Sequence, residues 1–289
     1  MSSDQIVLRT LARVIPAINT SDGAGVRLRR SLGSGKDVRL DPFLMLDEFS
    51  SDNPGDYIAG FPAHPHRGFE TVTYILDGHM RHEDHLGNQG DLVSGGVQWM
   101  TAGRGIIHSE MPQQLEGRMR GFQLWINLPA KEKMKPAGYR DIQPEEIPVH
   151  TLPDGGQVKV IAGTLTTEDV TITGPIAGLS TEPLYIDVQL PPGASFSQLI
   201  GRGLNAMAYV FEGQLRLAGA DTLLATHSAA VLNDGDVAAF TAAEQGARFL
   251  VLAGRPLNEP IVQYGPFVMN TMAEIEQAVR DYQTGRLTA

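Results

Sequence analysis

The feature that most constrains this chain is the spacing of its apolar runs, which are short and end at turn residues. Thr71–Leu76 runs into Asp77-Gly78, and Tyr185–Leu190 into Pro191-Pro192-Gly193. Met207–Phe211 runs into Glu212-Gly213, and Arg248–Leu252 into Ala253-Gly254. Runs of this length, rich in β-branched and aromatic residues and bounded by acidic-Gly or Pro-Gly turns, read as strands. The 32 glycines and 18 prolines supply many such turns, and few helical periods intervene. The expected fold class is therefore all-β, built as sandwiches or barrels.

A faint repeat refines this reading. Thr73-Tyr-Ile-Leu-Asp-Gly78 resembles Ala208-Tyr-Val-Phe-Glu-Gly213, and Gly90-Asp91 resembles Gly235-Asp236. A strand, an acidic-Gly turn, a second strand and a Gly-Asp turn recur in one order, as two copies of one β-unit would. The length of 289 residues suits two domains. Between Leu128 and Pro148 the chain is polar, contains prolines and lacks clean periodicity, which marks a boundary. The expected division is an N-terminal barrel over 1–130, a linker over 131–148, a second barrel over 149–265 and a C-terminal segment over 266–289. That last segment contains one helix. Thr271-Met-Ala-Glu274 is a capping-box pattern, Ile275, Ala278, Val279 and Tyr282 share a face, and Gly285 is a stop. The helix is expected to pack on a sheet.

Composition excludes several functions. The chain has no cysteine, so disulfides, thiolate catalysis, Cys-ligated zinc and iron–sulfur clusters are out of reach. The formal net charge is −10, which argues against direct nucleic-acid binding and against docking on anionic membranes. No apolar run reaches the ~20 residues that span a bilayer. The N-terminal stretch MSSDQIVLRTLARVIPA lacks a signal-peptide pattern, which points to a cytoplasmic location.

The chemistry concentrates in His64-Pro-His66-Arg-Gly-Phe-Glu70. Residues 64 and 66 share parity, so on a strand both imidazoles project from one face. About 40 residues later His108 and Glu110 also share parity. Three neutral imidazoles and a carboxylate suit iron, manganese, nickel, copper or zinc. They leave coordination positions open, as a catalytic metal requires. Parity alone leaves Glu70 as a further candidate ligand.

His79, His82 and His85 form HxxHxxH, which on a strand does not converge and reads as a solvated hairpin face. His150 reads as a surface residue near the boundary. Trp99 and Trp125 read as core or pocket walls, and Asp47-Glu48 as a solvated turn.

These motifs resemble those of a known family. His64-Pro-His66-Arg-Gly-Phe-Glu70 with Gly78 resembles the first cupin motif. Gly90-Asp91 through Gln98-Trp-Met-Thr-Ala-Gly-Arg-Gly-Ile-Ile-His-Ser-Glu110 resembles the second motif in the form used by pirins. Asp41-Pro-Phe-Leu-Met-Leu-Asp-Glu-Phe49 and the tail from Phe267 to Leu287 also resemble pirin segments. The resemblance implies a bicupin: two β-barrel or jelly-roll domains with a C-terminal helix. It implies one divalent transition metal ion, Fe(II), in the first barrel, on His64, His66, His108 and Glu110. By the same analogy Glu70 is not a ligand. Aligning the repeat places Leu199, Gly201 and Asn205 at the positions of His64, His66 and Glu70. His227 is the one histidine of the second barrel beyond residue 150, so that barrel is expected to lack metal.

Some pirins resemble quercetinases, which implies a small aromatic, flavonol-like substrate and dioxygen. Glu110 would then act as the catalytic base that takes the substrate hydroxyl proton before the ring opens and carbon monoxide leaves. The alternative is a non-catalytic metal-binding regulator, or a redox-switched protein that docks to a basic protein partner. A third reading, sugar or nucleotide-sugar isomerisation, does not require this ligand set. A monomer is expected, because a double barrel closes most of its own sheet edges.

Overall fold

The computed structural model describes residues 6–35, 38–167, 169–220 and 222–289. The first five residues of the N-terminal stretch lie outside the described residues. The chain divides into two units, neither continuous in sequence: 18–144 with 257–289, and 6–17 with 145–256.

In the first unit seven antiparallel strands lie in the order Gly138–Ile142, Val97–Thr101, Phe69–Asp77, Met119–Asn127, Phe43–Ser51, Val26–Arg30 and Ile18–Asp22. Four more lie in the order Phe61–His66, Ile106–Pro112, His79–Asp84 and Gln89–Val93. Burial alternates along Gln89–Val93 and along the first five residues of Ile106–Pro112, as expected of strands with one face inward. Phe69–Asp77, central in its sheet, is buried almost throughout. Val26, Leu28, Phe49 and Ile75 of the larger sheet pack with Met80 and Leu92 of the smaller one and close the barrel.

The tail from residue 257 completes this unit. Val262–Tyr264 pairs with Phe267–Met269, and the helix Met272–Gln283 follows. The capping box forms: Thr271 Oγ1 accepts from the Glu274 N–H at 3.3 Å, and Glu274 Oε2 accepts from the Thr271 N–H at 2.8 Å. Ile275 and Ala278 pack with Phe267, Met269 and Leu287. Lys133 pins the tail to the barrel. Its buried Nζ donates to the carbonyls of Gly68 (2.7 Å) and Val268 (3.0 Å) and to Asn127 Oδ1 (2.6 Å).

In the second unit the strand order is Leu11–Pro16, Ser228–Leu232, Asn205–Leu217, Val237–Gly254, Leu184–Leu190, Gln157–Ala162 and Val149–Thr151. Ser195–Leu199 also pairs with the long strand Val237–Gly254. The interior is apolar, with Val158, Val160, Ile186, Val188, Phe196, Phe240, Phe249 and Val251 in one cluster.

Three expectations about organisation need correction. The N-terminal strand Leu11–Pro16 pairs with Ser228–Leu232, so it belongs to the second unit rather than to a domain over 1–130. The supposed linker over 131–148 contains the strand Gly138–Ile142, paired with Val97–Thr101 in the first unit. Its sequence lacks strand character, and pairing with a neighbour supplies the structure instead. The tail does not stand apart but completes the first barrel. One turn also differs: Glu212-Gly213 does not end a strand but bends Asn205–Leu217 through register shifts on either side. At Gly213, φ is +65° and a Cβ would meet the Gly246 carbonyl oxygen at 2.1 Å, so only glycine permits this close approach.

No helix among the described residues is long and apolar enough to cross a membrane.

Candidate metal centre

The antiparallel ladder between Phe61–His66 and Ile106–Pro112 makes His64 and His108 direct cross-strand partners. His66 lies two residues from His64 on the same face. Ring centroids are 4.7 Å apart for His64 and His66, 4.4 Å for His64 and His108, and 5.0 Å for His66 and His108. Ligand-capable nitrogens of the three residues lie within 4.8 Å of one another.

Hydrogen bonding shows which nitrogens are available. His64 Nδ1 lies 2.8 Å from the Pro62 carbonyl, which can only accept, so Nδ1 carries the hydrogen and Nε2 keeps its lone pair. His108 Nδ1 lies 2.9 Å from His82 Nε2, while His108 Nε2 is buried without a partner. His66 Nδ1 is likewise buried and unpartnered. An unsatisfied buried polar atom costs about 1–3 kcal/mol. His108 Nε2, on a ring that converges with two others, is what a bound cation would satisfy. Burial first, and neighbouring imidazoles second, hold His66 and His108 far below the ordinary histidine value. Both rings are therefore neutral at pH 7, the form that binds metal. The residues present fit a divalent transition metal.

Glu110 stands outside this trio. A register shift lies between His108 and Glu110, and the buried carboxylate accepts from Thr73 Oγ1 at 2.8 Å and from Gln123 Nε2 at 2.9 Å. Gln123 Oε1 in turn accepts from Trp125 Nε1 at 3.1 Å. A carboxylate has about four acceptor sites, so two hydrogen bonds leave capacity for another ligand.

A cavity of about 1140 Å³ opens onto His64, His66, Gln123 and Trp125. Its walls include the apolar side chains of Leu28, Met45, Phe49 and Phe61. Trp125 lies edge-on to His66, with centroids 5.3 Å apart. The tail contributes Ile261, Val262 and Pro266. In the wall Arg30 pairs with Asp47, donating from Nε to Oδ1 at 2.8 Å and from Nη2 to Oδ2 at 2.7 Å.

Glu70 faces a different set of groups, accepting from Thr101 Oγ1 at 2.6 Å and from Trp99 Nε1 at 3.2 Å, with Lys135 Nζ at 3.6 Å. Parity from residue 64 to 70 does not hold because the chain bends at Arg67-Gly68. There φ of Gly68 is +92° and a Cβ would meet the Val268 carbonyl oxygen at 2.0 Å. Asp47 and Glu48 do not form a solvated turn; both are buried in the strand Phe43–Ser51. Trp99 is core and Trp125 is pocket wall.

His79 is half-exposed beside Asp91, and His85 is exposed. His82 breaks the expectation of a solvated HxxHxxH face, because it is 0% exposed and reaches His108. The available signal was Met80, an apolar residue sharing the parity of His82. His227 occupies a turn before Ser228, with φ of +61°.

Comparisons with known proteins identify the family. The profile of the Pirin family matches residues 25–126, and that of the Pirin C-terminal cupin domain matches 185–288. The chain is 57% identical over 269 residues to a Pseudomonas aeruginosa protein named "Putative quercetin 2,3-dioxygenase", covering 92% of this chain and 94% of that one. It is 43% identical to human pirin, covering 99% of this chain and 94% of that one. A crystal structure of quercetin 2,3-dioxygenase from Acinetobacter baumannii superposes with a TM-score of 0.88 at 33% identity, covering 98% of this chain and 99% of that one. The chain belongs to the pirin family of bicupins.

Proposed function

We propose that this protein is a metal-dependent dioxygenase that opens the ring of a flavonol-type substrate. His64, His66, His108 and Glu110 would hold one divalent transition metal ion, Fe(II). The observation that carries the reading is the roomy, largely apolar cavity that opens onto two of the three imidazoles. Its size suits a drug-sized aromatic ligand. The names borne by the Pseudomonas and Acinetobacter relatives support the same substrate class.

When bound, the metal would supply Lewis acidity to a substrate hydroxyl and a centre for dioxygen chemistry. The remaining work belongs to the chain. Phe49, Phe61 and Trp125 offer flat apolar contact to aromatic rings. Gln123 and Thr73 orient the Glu110 carboxylate. Glu110 accepts the hydroxyl proton of the substrate, a role worth about 10²–10⁴-fold in rate.

The test is metal analysis on protein purified without air, together with quercetin-dependent oxygen uptake on the same sample. About one iron per chain, with uptake lost in Glu110→Ala, is the expected result. Bound metal with no uptake would overturn the enzymatic reading and favour a metal-binding regulator.

A further inference from the structure

We propose that His82 is a positioning residue that holds His108 in the one tautomer able to bind a metal. The inference rests on the reading of His108 as a ligand. His82 Nε2 and His108 Nδ1 are 2.9 Å apart, and a contact of that length between ring nitrogens requires one hydrogen between them. If His82 donated, His108 would be left with its hydrogen on Nε2 and no lone pair there. If His108 donates, its Nε2 is free. That Nε2 is buried and without a partner, on a ring packed against His64 and His66. Only the second arrangement gives the trio three available lone pairs, and it places the His82 hydrogen on Nδ1, which is buried without a partner.

The fold holds this pairing rigidly. His79–Asp84 and Ile106–Pro112 are antiparallel neighbours, with His82 opposite Glu110 and Asp84 opposite His108. The His82 ring is 0% exposed and stands edge-on to Tyr139, with centroids 4.7 Å apart. Water therefore has no access to replace it as the acceptor. In most metal sites a carboxylate, a backbone carbonyl or water takes the second N–H of a ligating histidine, and losing that acceptor costs about 10–100-fold in metal affinity. Here a neutral imidazole fills the role and orients the ring without adding negative charge.

The test is Co(II) affinity, read from its visible ligand-field bands, in the unaltered protein and in His82→Leu, His82→Gln and His108→Ala. Leucine fills space without accepting a hydrogen bond, whereas the glutamine amide oxygen can stand near the position of Nε2. His82→Leu is expected to weaken Co(II) binding by about 10–100-fold, and His82→Gln to recover most of that loss. Equal binding by His82→Leu and the unaltered protein, or an equal loss in both His82 variants, would overturn the proposal. Full Co(II) affinity in His108→Ala would instead overturn the ligand reading beneath it. Should the variants fail to fold, long-range ¹H–¹⁵N correlation on the unaltered, metal-free protein decides the matter. A hydrogen on His108 Nδ1 is expected, and a hydrogen on Nε2 would overturn the assignment.

Discussion

The two barrels share a strand plan and differ in what fills them. In the first, the interior face carries His82, Thr73, Glu110 and the histidine trio, and a cavity remains open beside them. In the second, the equivalent volume holds Phe196, Phe240, Phe249 and a dense set of valines, leucines and alanines. Buried polar groups are costly unless fully satisfied, so the first barrel spends stability on a site, and the second holds a conventional core. The positions aligned with His64 and His66 are Leu199 and Gly201, both exposed and neither able to bind a metal through its side chain.

The largest expected effect tests this division directly. His64→Ala or His108→Ala should reduce bound metal from about one per chain to below about a tenth, whereas His227→Ala should leave it unchanged. Metal analysis showing equal content in all three variants would collapse the distinction. A complementary break targets the second barrel. Phe249 is fully buried, with its ring 5.1 Å from that of Phe240. Phe249→Ala should cost about 3–5 kcal/mol in denaturant unfolding. The folded fraction should keep its metal; loss of metal without loss of stability would contradict the assignment of roles.

Legibility in the sequence followed the same division. Short-range parity within one strand paired His64 with His66, because side chains two residues apart share a face, whereas His108 joins them through the cross-strand ladder. The capping box and apolar face of the C-terminal helix were equally local. What failed was long-range. Nothing near Leu11 indicates that it pairs with Leu232, and nothing in Gly138–Ile142 indicates its neighbour Val97–Thr101. Parity also misled across the Arg67-Gly68 bend, where Glu70 turns toward Trp99 and Thr101. His82 was assigned to solvent because the three histidines of HxxHxxH do not converge on a strand, yet that same alternation turns His82 to the buried face that Met80 shares.

Both units are completed by the opposite end of the chain, and the two attachments differ in kind. The tail of the first unit is held by Lys133, whose amine burial lowers to about 8, so at pH 7 it remains protonated and donates to all three acceptors. Lys133→Met preserves volume but strands two carbonyls and an amide oxygen. It should cost about 2–4 kcal/mol by denaturant titration at pH 7. A variant as stable as the unaltered protein would show that the tail is held by its apolar contacts alone.

The segment leading into the N-terminal strand of the second unit is held partly at the surface, and its smaller contribution should depend on pH. Asp236 Oδ2 accepts from the Val7 N–H at 2.8 Å, and the carboxylate pairs at two points with Arg202, at 2.7 and 2.8 Å. The Arg202 guanidinium first, and the Val7 N–H second, lower Asp236 from 3.8 to about 2. A carboxylate depressed on folding stabilises the native state above its unfolded value and loses that contribution as pH falls toward the folded value. Asp236→Asn should therefore lower the thermal midpoint slightly at pH 6, with the gap from the unaltered protein closing between 3.8 and about 2. A gap that persists unchanged across that window would mean that the carboxylate charge does not hold the strand. The ladder between Leu11–Pro16 and Ser228–Leu232, with the buried Arg9 guanidinium donating to the Gly201 carbonyl at 2.8 Å, would then be the principal attachment.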